Sequence, residues 1–211
     1  MNRTHLPGVI AMAAIVLASN ILVQFLVGDW LTWGAFTYPF AFLVTDVMNR
    51  VYGPEAARKV VLAGFITGVA ASLVGSQIEG EFGPLVTFRV ALASGTAFLV
   101  AQTLDILVFN RFREGAWWRA PFISTLVGSS MDTIIFFSLA FSSAFTFLDP
   151  SDDVSWANDP VPLLGAGPVA PLWASLATAD WMVKLSLALV ALVPFRVIVR
   201  RLLARRAAAA A

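Results

Sequence analysis

The chain has 211 residues, 59% of them hydrophobic and only 13% charged, with a net charge of +1 and a mean hydropathy of +0.81. A soluble domain carries about 25% charged residues, so this composition excludes soluble globular, disordered and nucleic-acid-binding proteins and leaves an all-α integral membrane protein. With no cysteine and one histidine, His5, it also excludes disulfides, thiolate centres and multi-histidine metal sites; no metal and no other cofactor is expected.

A helix needs about 20 apolar residues to cross a bilayer core, and six stretches qualify: 8–27, 32–51, 58–77, 87–109, 121–147 and 172–196. The first follows Arg3 and outruns the 7–15-residue core of a signal peptide, so it reads as a retained span. Its Asn20 and Gln24 share one face, where amides bridge helices. In the second, Pro39 removes the hydrogen bond to the carbonyl of Ala35. Trp33, Gly34, Phe36, Tyr38 and Phe40 surround this break. A broken helix among aromatic residues suits a flat polar solute, because freed carbonyls are tolerated where they line a cavity; an ordinary proline kink is the other reading. Asp46 and Arg50 lie at i, i+4 and are expected to form a structural ion pair.

In the third span Gly64 and Gly68 form G-x-x-x-G, continued by Ser72 and Ser76. This helix-packing face is a candidate homodimer seam or a contact within the chain. In the fourth, Arg89 near the outer end is expected to snorkel or to donate to a solute carbonyl. Gln102 precedes Asp105, which lies one turn inside the membrane; a pair with an arginine outside the span competes with a functional role. In the fifth, Asp132 sits near the middle with no basic residue within a turn, sharing a face with Ser124 and Gly128. It either pairs with Lys184 or Arg89 across the bundle or, the preferred reading, contacts substrate. The segment 148–171 is an outer loop rich in Asp, Pro and Gly, either solvated or holding a short interfacial piece around Trp156 and Trp173. In the sixth, Asp180 and Lys184 are four apart and either neutralise each other or wall a central cavity. Residues 1–206 form one membrane domain, and 207–211 are an alanine tail.

Lys and Arg set orientation. Arg3, the 50–59 and 111–119 connections and the arginines from Arg196 to Arg206 hold twelve of the fourteen basic residues, while the intervening loops carry Asp29, Glu79, Glu81, Asp149, Asp152, Asp153 and Asp159. An even number of spans with both termini cytoplasmic satisfies this bias.

The polar pattern resembles the queuosine precursor transporters, the YhhQ-like branch of the vitamin uptake transporter group. The matching elements run through nearly the whole chain. They are Ser19-Asn20 with Leu22-Val23-Gln24, Thr32-Trp33-Gly34-Ala35-Phe36 with Pro39-Phe40, and Thr45-Asp46 with Tyr52-Gly53. Arg89, Gln102-Thr103-Leu104-Asp105, Trp117-Trp118, Ser124-Thr125-Leu126, Asp132-Thr133 and Asp180-Trp181 with Lys184 follow in order. Where many members carry an acid just before the Tyr-Gly element, this chain has Asn49-Arg50. The resemblance implies an inner-membrane importer of 7-cyano-7-deazaguanine, with 7-aminomethyl-7-deazaguanine as a second candidate, for tRNA queuosine salvage. It also implies a six-helix fold similar to the substrate-binding subunits of vitamin importers, working without their ATPase module.

A guanine-like edge presents two parallel N–H donors that one carboxylate can accept. Asp132 is the first candidate for that carboxylate and Asp180 the second. Arg89, Lys184, Gln24 or Gln102 would donate to the O6 carbonyl, with Asn20 and Asp105 as further polar contacts. Trp33, Phe36, Tyr38, Phe136 and Phe137 are available as ring walls. Alternating access is the expected mechanism, with proton coupling through Asp132 or Asp105, or facilitated diffusion, as its energetics. The lipid bilayer and the small base are the expected partners, with no nucleic acid. The rival readings are a binding subunit that needs partner ATPase chains and a membrane-embedded enzyme.

Overall fold

The computed structural model describes residues 3–81 and 83–210; the side chain of Arg3 and residue Ala211 lie outside the described residues. Among the described residues seven α-helices carry the fold: α1 (Leu6–Leu22), α2 (Trp33–Thr37), α3 (Phe40–Tyr52), α4 (Pro54–Gly75), α5 (Phe88–Arg111), α6 (Arg119–Phe141) and α7 (Leu172–Ala210). Four of them, α4, α5, α6 and α7, are long and apolar enough to cross a membrane; α1 is a shorter apolar helix. Six two- or three-residue strands pair as antiparallel hairpins at helix ends: β1 (Leu26–Val27) with β2 (Leu31–Thr32), β3 (Glu79–Gly80) with β4 (Gly83–Pro84), and β5 (Pro160–Pro162) with β6 (Val169–Pro171).

Three boundaries differ from the sequence expectation. The first apolar run ends its helix at Leu22, because Val23 to Thr32 fold into the β1–β2 hairpin, with Gly28 at φ +65° in its turn. The second run is two helices: Tyr38 and Pro39 keep right-handed torsions, but the ladder tightens to i→i−3 bonds from Ala41 to Tyr38 and from Phe42 to Pro39. The missing N–H of proline is the cause. The fifth ends at Phe141, after which the outer segment is ordered. There Val154 and Ala157 are buried, Trp156 packs on Phe141 at 5.7 Å, and Leu164 N–H donates to the buried Ser175 hydroxyl at 3.0 Å.

The bundle is inside out relative to a soluble protein. Ile66, Leu73 and Val193 are 60%, 65% and 68% exposed, whereas Arg89, Gln102 and Asp105 are fully buried. Apolar side chains outside and polar ones inside is the arrangement lipid selects. One apolar cluster joins α1, α3, α4 and α5 through Met12, Val16, Met48, Val60 and Phe98. A second joins α3, α5, α6 and α7 through Val47, Phe109, Ala120 and Phe195.

Helices approach closely where residues are small. A Cβ at Gly128 on α6 would lie 3.1 Å from the Ala101 carbonyl oxygen of α5 and 2.8 Å from Phe42 Cε1 of α3. Likewise a Cβ at Gly64 would lie 2.7 Å from Met12 Cγ and 2.8 Å from Phe98 Cζ, and one at Gly68 would touch Val16. The Gly64/Gly68 face is therefore filled by α1 and α5 of the same chain. That is the contact within the chain which the G-x-x-x-G spacing also allowed.

The arginine-rich ends meet. Arg113 donates to the carbonyl of Asn49 at 2.7 Å, Arg206 donates to the carbonyl of Val51, and His5 packs edge-on against Tyr52 at 5.4 Å. Cations at helix C-termini complete unpaired carbonyls and complement the dipole. At 39 residues and about 1.5 Å rise each, α7 outruns a roughly 30 Å core, and its second half carries the arginines beyond it.

Candidate functional site: two buried polar clusters

Lys184 organises the first cluster. Its i, i+4 spacing from Asp180 on α7 brings Nζ to 2.5 Å from Asp180 Oδ2. Across the interface with α6, the same Nζ donates to Asp132 Oδ2 at 2.7 Å and to Thr133 Oγ1 at 3.1 Å. The Thr133 hydroxyl donates to Asp180 Oδ2 at 2.9 Å, and the Tyr38 hydroxyl donates to Asp132 Oδ1 at 3.0 Å. Tyr38 ends α2 at the proline break, and its ring stands edge-on to Phe42 and Phe98, with Lys184 Nζ 5.5 Å from its centroid. Lys184 and Asp132 are 4% and 5% exposed. Two carboxylates around one ammonium leave an excess of one formal negative charge when both acids are ionised.

The second cluster holds no lysine. Asp46 on α3 accepts from the hydroxyls of Ser124 (3.1 Å) and Thr125 (3.3 Å) on α6. Asp105 on α5 faces the same stretch of α3, where Asn49 reaches the Ile106 carbonyl at 3.5 Å, yet neither of its buried oxygens has a partner. One turn earlier, Gln102 Oε1 accepts from the Thr45 hydroxyl at 2.6 Å, and its Nε2 has no partner. All of these side chains are buried. Asp46 also edges a narrow cleft between α3, α6 and α7, beside Pro39, Phe42, Pro121 and Leu192, with a cavity volume of about 10 Å³. That is room for about one water.

The expected Asp46–Arg50 ion pair is not formed. Arg50 Nη1 donates instead to the carbonyl of Arg113 at 2.7 Å, and the face of α3 that carries Asp46 turns towards α6. Nor does an arginine pair with Asp105. Arg89 does not snorkel: Nε donates to the Leu139 carbonyl at 2.6 Å and Nη2 to the Ser142 carbonyl, so the fully buried guanidinium caps the C-terminus of α6, and its Nη1 has no partner. Nearby, the Thr87 hydroxyl donates to Asp152 Oδ2 at 2.8 Å and accepts from Val90 N–H at the start of α5, which ties the outer segment to that helix.

The remaining candidates make none of the hydrogen bonds of either cluster. Asn20 donates to the Val16 carbonyl of its own helix at 2.8 Å. Gln24 is exposed and reaches the Leu85 carbonyl at 3.5 Å. Trp33, 53% exposed, packs on Phe36. Phe136 packs on Phe137 and Phe141. The sequence reading did not anticipate the Tyr38 hydroxyl as a partner of Asp132, Thr133 as a bridge to Asp180, or Asp46 beside Asp105. Among the described residues no group of three or more His, Cys, Asp or Glu side chains could hold a metal ion.

Residues 32–199 match the model of a family described as "Putative vitamin uptake transporter". A Haemophilus influenzae protein named "Probable queuosine precursor transporter" is 34% identical over 186 residues, 83% of this chain and 71% of its own length. The "Queuosine precursor transporter" of Escherichia coli is 41% identical over 142 residues, 60% of this chain and 64% of its own length. A "Probable queuosine precursor transporter" of Bacillus subtilis is 35% identical over 130 residues, 52% of this chain and 56% of its own length. No solved structure matches this chain.

Proposed function

This chain belongs to the queuosine precursor transporter family, and we propose from that premise that it imports 7-cyano-7-deazaguanine, with the 7-aminomethyl compound as a second cargo, for queuosine salvage. It is a multi-pass protein of the bacterial inner membrane. The observation that carries the substrate reading is the Lys184 cluster, where two carboxylates and one ammonium are buried beside a tyrosine on a broken helix. The N1–H and exocyclic amine of a guanine-like edge donate to one carboxylate, and such charge-assisted bonds are among the stronger ones. Asp132 Oδ1 now accepts from Tyr38; the substrate's donors take its place, and Lys184 turns to donate to the O6 carbonyl. The Tyr38 ring, released at the Pro39 break, becomes a wall against the bound base. An analogue without these donors would leave buried polar groups unpaired and be rejected.

The excess of arginine at one end of the bundle supports six crossings, with α2 and α3 as one broken span and both termini cytoplasmic. Residues 1–206 form a single domain that alternates access by moving helices about the Lys184 cluster. The chain works alone, without ATPase partners, and performs no chemistry on its cargo.

The test is uptake of labelled 7-cyano-7-deazaguanine into liposomes that contain only this protein, with Asp132→Asn alongside. Uptake by the wild type and its loss in the variant is the expected result. Binding without uptake would point to a subunit that needs partner chains. Neither binding nor uptake would overturn the substrate, and release of an altered base would overturn transport in favour of catalysis.

A further inference from the structure

We propose that Asp46 and Asp105 share one proton and form a proton-binding site, separate from the Lys184 cluster, that couples proton entry to transport. The coupling half of the inference rests on the substrate reading above; the proton site itself does not.

The argument starts from Asp105, whose two oxygens are fully buried without a donor. Its neighbour across the α3–α5 interface is another carboxylate, Asp46, 2% exposed, because Thr45 bonds Gln102 and Asn49 reaches the Ile106 carbonyl on either side of the two acids. Two buried carboxylates in contact do not both ionise, because like charges in a low dielectric repel and each loses its hydration. One proton between them resolves both problems, since the O–H of one acid is the donor that the other's oxygen lacks.

No cation offers an alternative among the described residues. On α3, Arg50 is turned to the Arg113 carbonyl and Asn49 contacts the Ile106 carbonyl. On α4, Arg58 pairs with Glu55 at the surface. On α5 the adjacent polar group is Gln102, and Arg113 beyond its end binds Asn49 and Asn110. On α6 the Ser124 and Thr125 hydroxyls face Asp46, and α7 presents Ala188, Leu192 and Phe195 to the cleft beside it. Gln102 Nε2 is a second buried group without a partner next to the acids. The cleft at Asp46 has room for about one water beside the acid.

The mechanical link is the broken second span. Tyr38 holds Asp132 from one side of Pro39, and Asp46 holds Ser124 and Thr125 from the other. With the proton bound, α3 stays against α5 and α6. When the proton leaves, the two carboxylates repel and α3 moves at the Pro39 break, so that the position of Tyr38 against Asp132 depends on the proton. Proton occupancy and access to the Lys184 cluster are thereby tied.

Two measurements test this on the full-length protein. Difference infrared spectroscopy in lipid would follow the carbonyl stretch of a protonated carboxylic acid during a pH titration. The band is expected in the wild type near neutral pH, lost in Asp46→Asn and in Asp105→Asn, and kept in Asp132→Asn. No such band in the wild type, or a band that survives both substitutions, overturns the proton site. In proteoliposomes, an acid-outside gradient should drive accumulation of 7-cyano-7-deazaguanine by the wild type. Asp105→Asn should abolish that stimulation while exchange of internal for external base continues. Unchanged gradient stimulation in Asp105→Asn overturns the coupling. Failure of the wild type to exchange the base overturns the substrate reading and the coupling with it, while the infrared result still decides the proton site.

Discussion

The two buried clusters use the same acid in the same membrane to opposite ends. Around Lys184, Asp132 and Asp180 meet an ammonium and two hydroxyls, and both acids accept from donors within the protein. Some 12 Å away along α6, at about 1.5 Å per residue, Asp46 meets only the Ser124 and Thr125 hydroxyls and Asp105 has no partner. Unit charges 4 Å apart interact by about 4 kcal/mol at an effective dielectric of 20. In one cluster that term is attractive; in the other it is repulsive. The neighbour, rather than the aspartate, sets the role.

Removing the lysine breaks the comparison most severely. Lys184→Met turns the first cluster into a second carboxylate pair, and loss of one partner from a buried ion pair costs roughly 3–5 kcal/mol. Thermal unfolding in detergent should show a large fall in midpoint, and partial recovery when Asp132→Asn is added. Midpoints equal to wild type would mean that the cluster is hydrated and weak.

Asparagine substitutions sharpen the contrast. Asp132→Asn removes a charge-assisted bond to Lys184 and should destabilise by roughly 1.5–3 kcal/mol. Asp105→Asn replaces an acid that shares a proton with a neutral isostere, and should change stability by less than about 1 kcal/mol. Equal losses at the two positions would show that both acids are ionised.

Smaller still is Tyr38→Phe, which deletes one hydrogen bond to Asp132 and should cost about 1 kcal/mol, read in the same unfolding assay. The smallest effect belongs to Asp46 and Arg50. A double-mutant cycle with Asp46→Asn and Arg50→Gln should give a coupling below about 0.5 kcal/mol, as for independent sites. A coupling above that would restore the ion pair that their spacing suggests.

What the sequence determined by itself was local. Membrane class follows from the sparse charge and the long apolar runs. The break at Pro39 follows from a missing N–H, and the Asp180–Lys184 contact from a four-residue spacing on one continuous helix. The same rule misplaced Asp46, because i, i+4 proximity to Arg50 makes a pair available without making it the best one: α6 offers hydroxyls to the acid, and the Arg113 carbonyl takes the guanidinium. Arg89 was misread for a related reason, since the carbonyls it caps lie 50 and 53 residues further on. Its burial becomes affordable only once α5 and α6 are packed. Tertiary structure alone decided that Asp132 meets Lys184 across 52 residues, that Asp46 meets Ser124 across 78, and that α1 fills the Gly64/Gly68 face. Helical periodicity defines which residues share a face of their own helix. Which faces meet depends on how small residues such as Gly64 and Gly128 let neighbouring backbones approach, and that is a property of the assembled bundle.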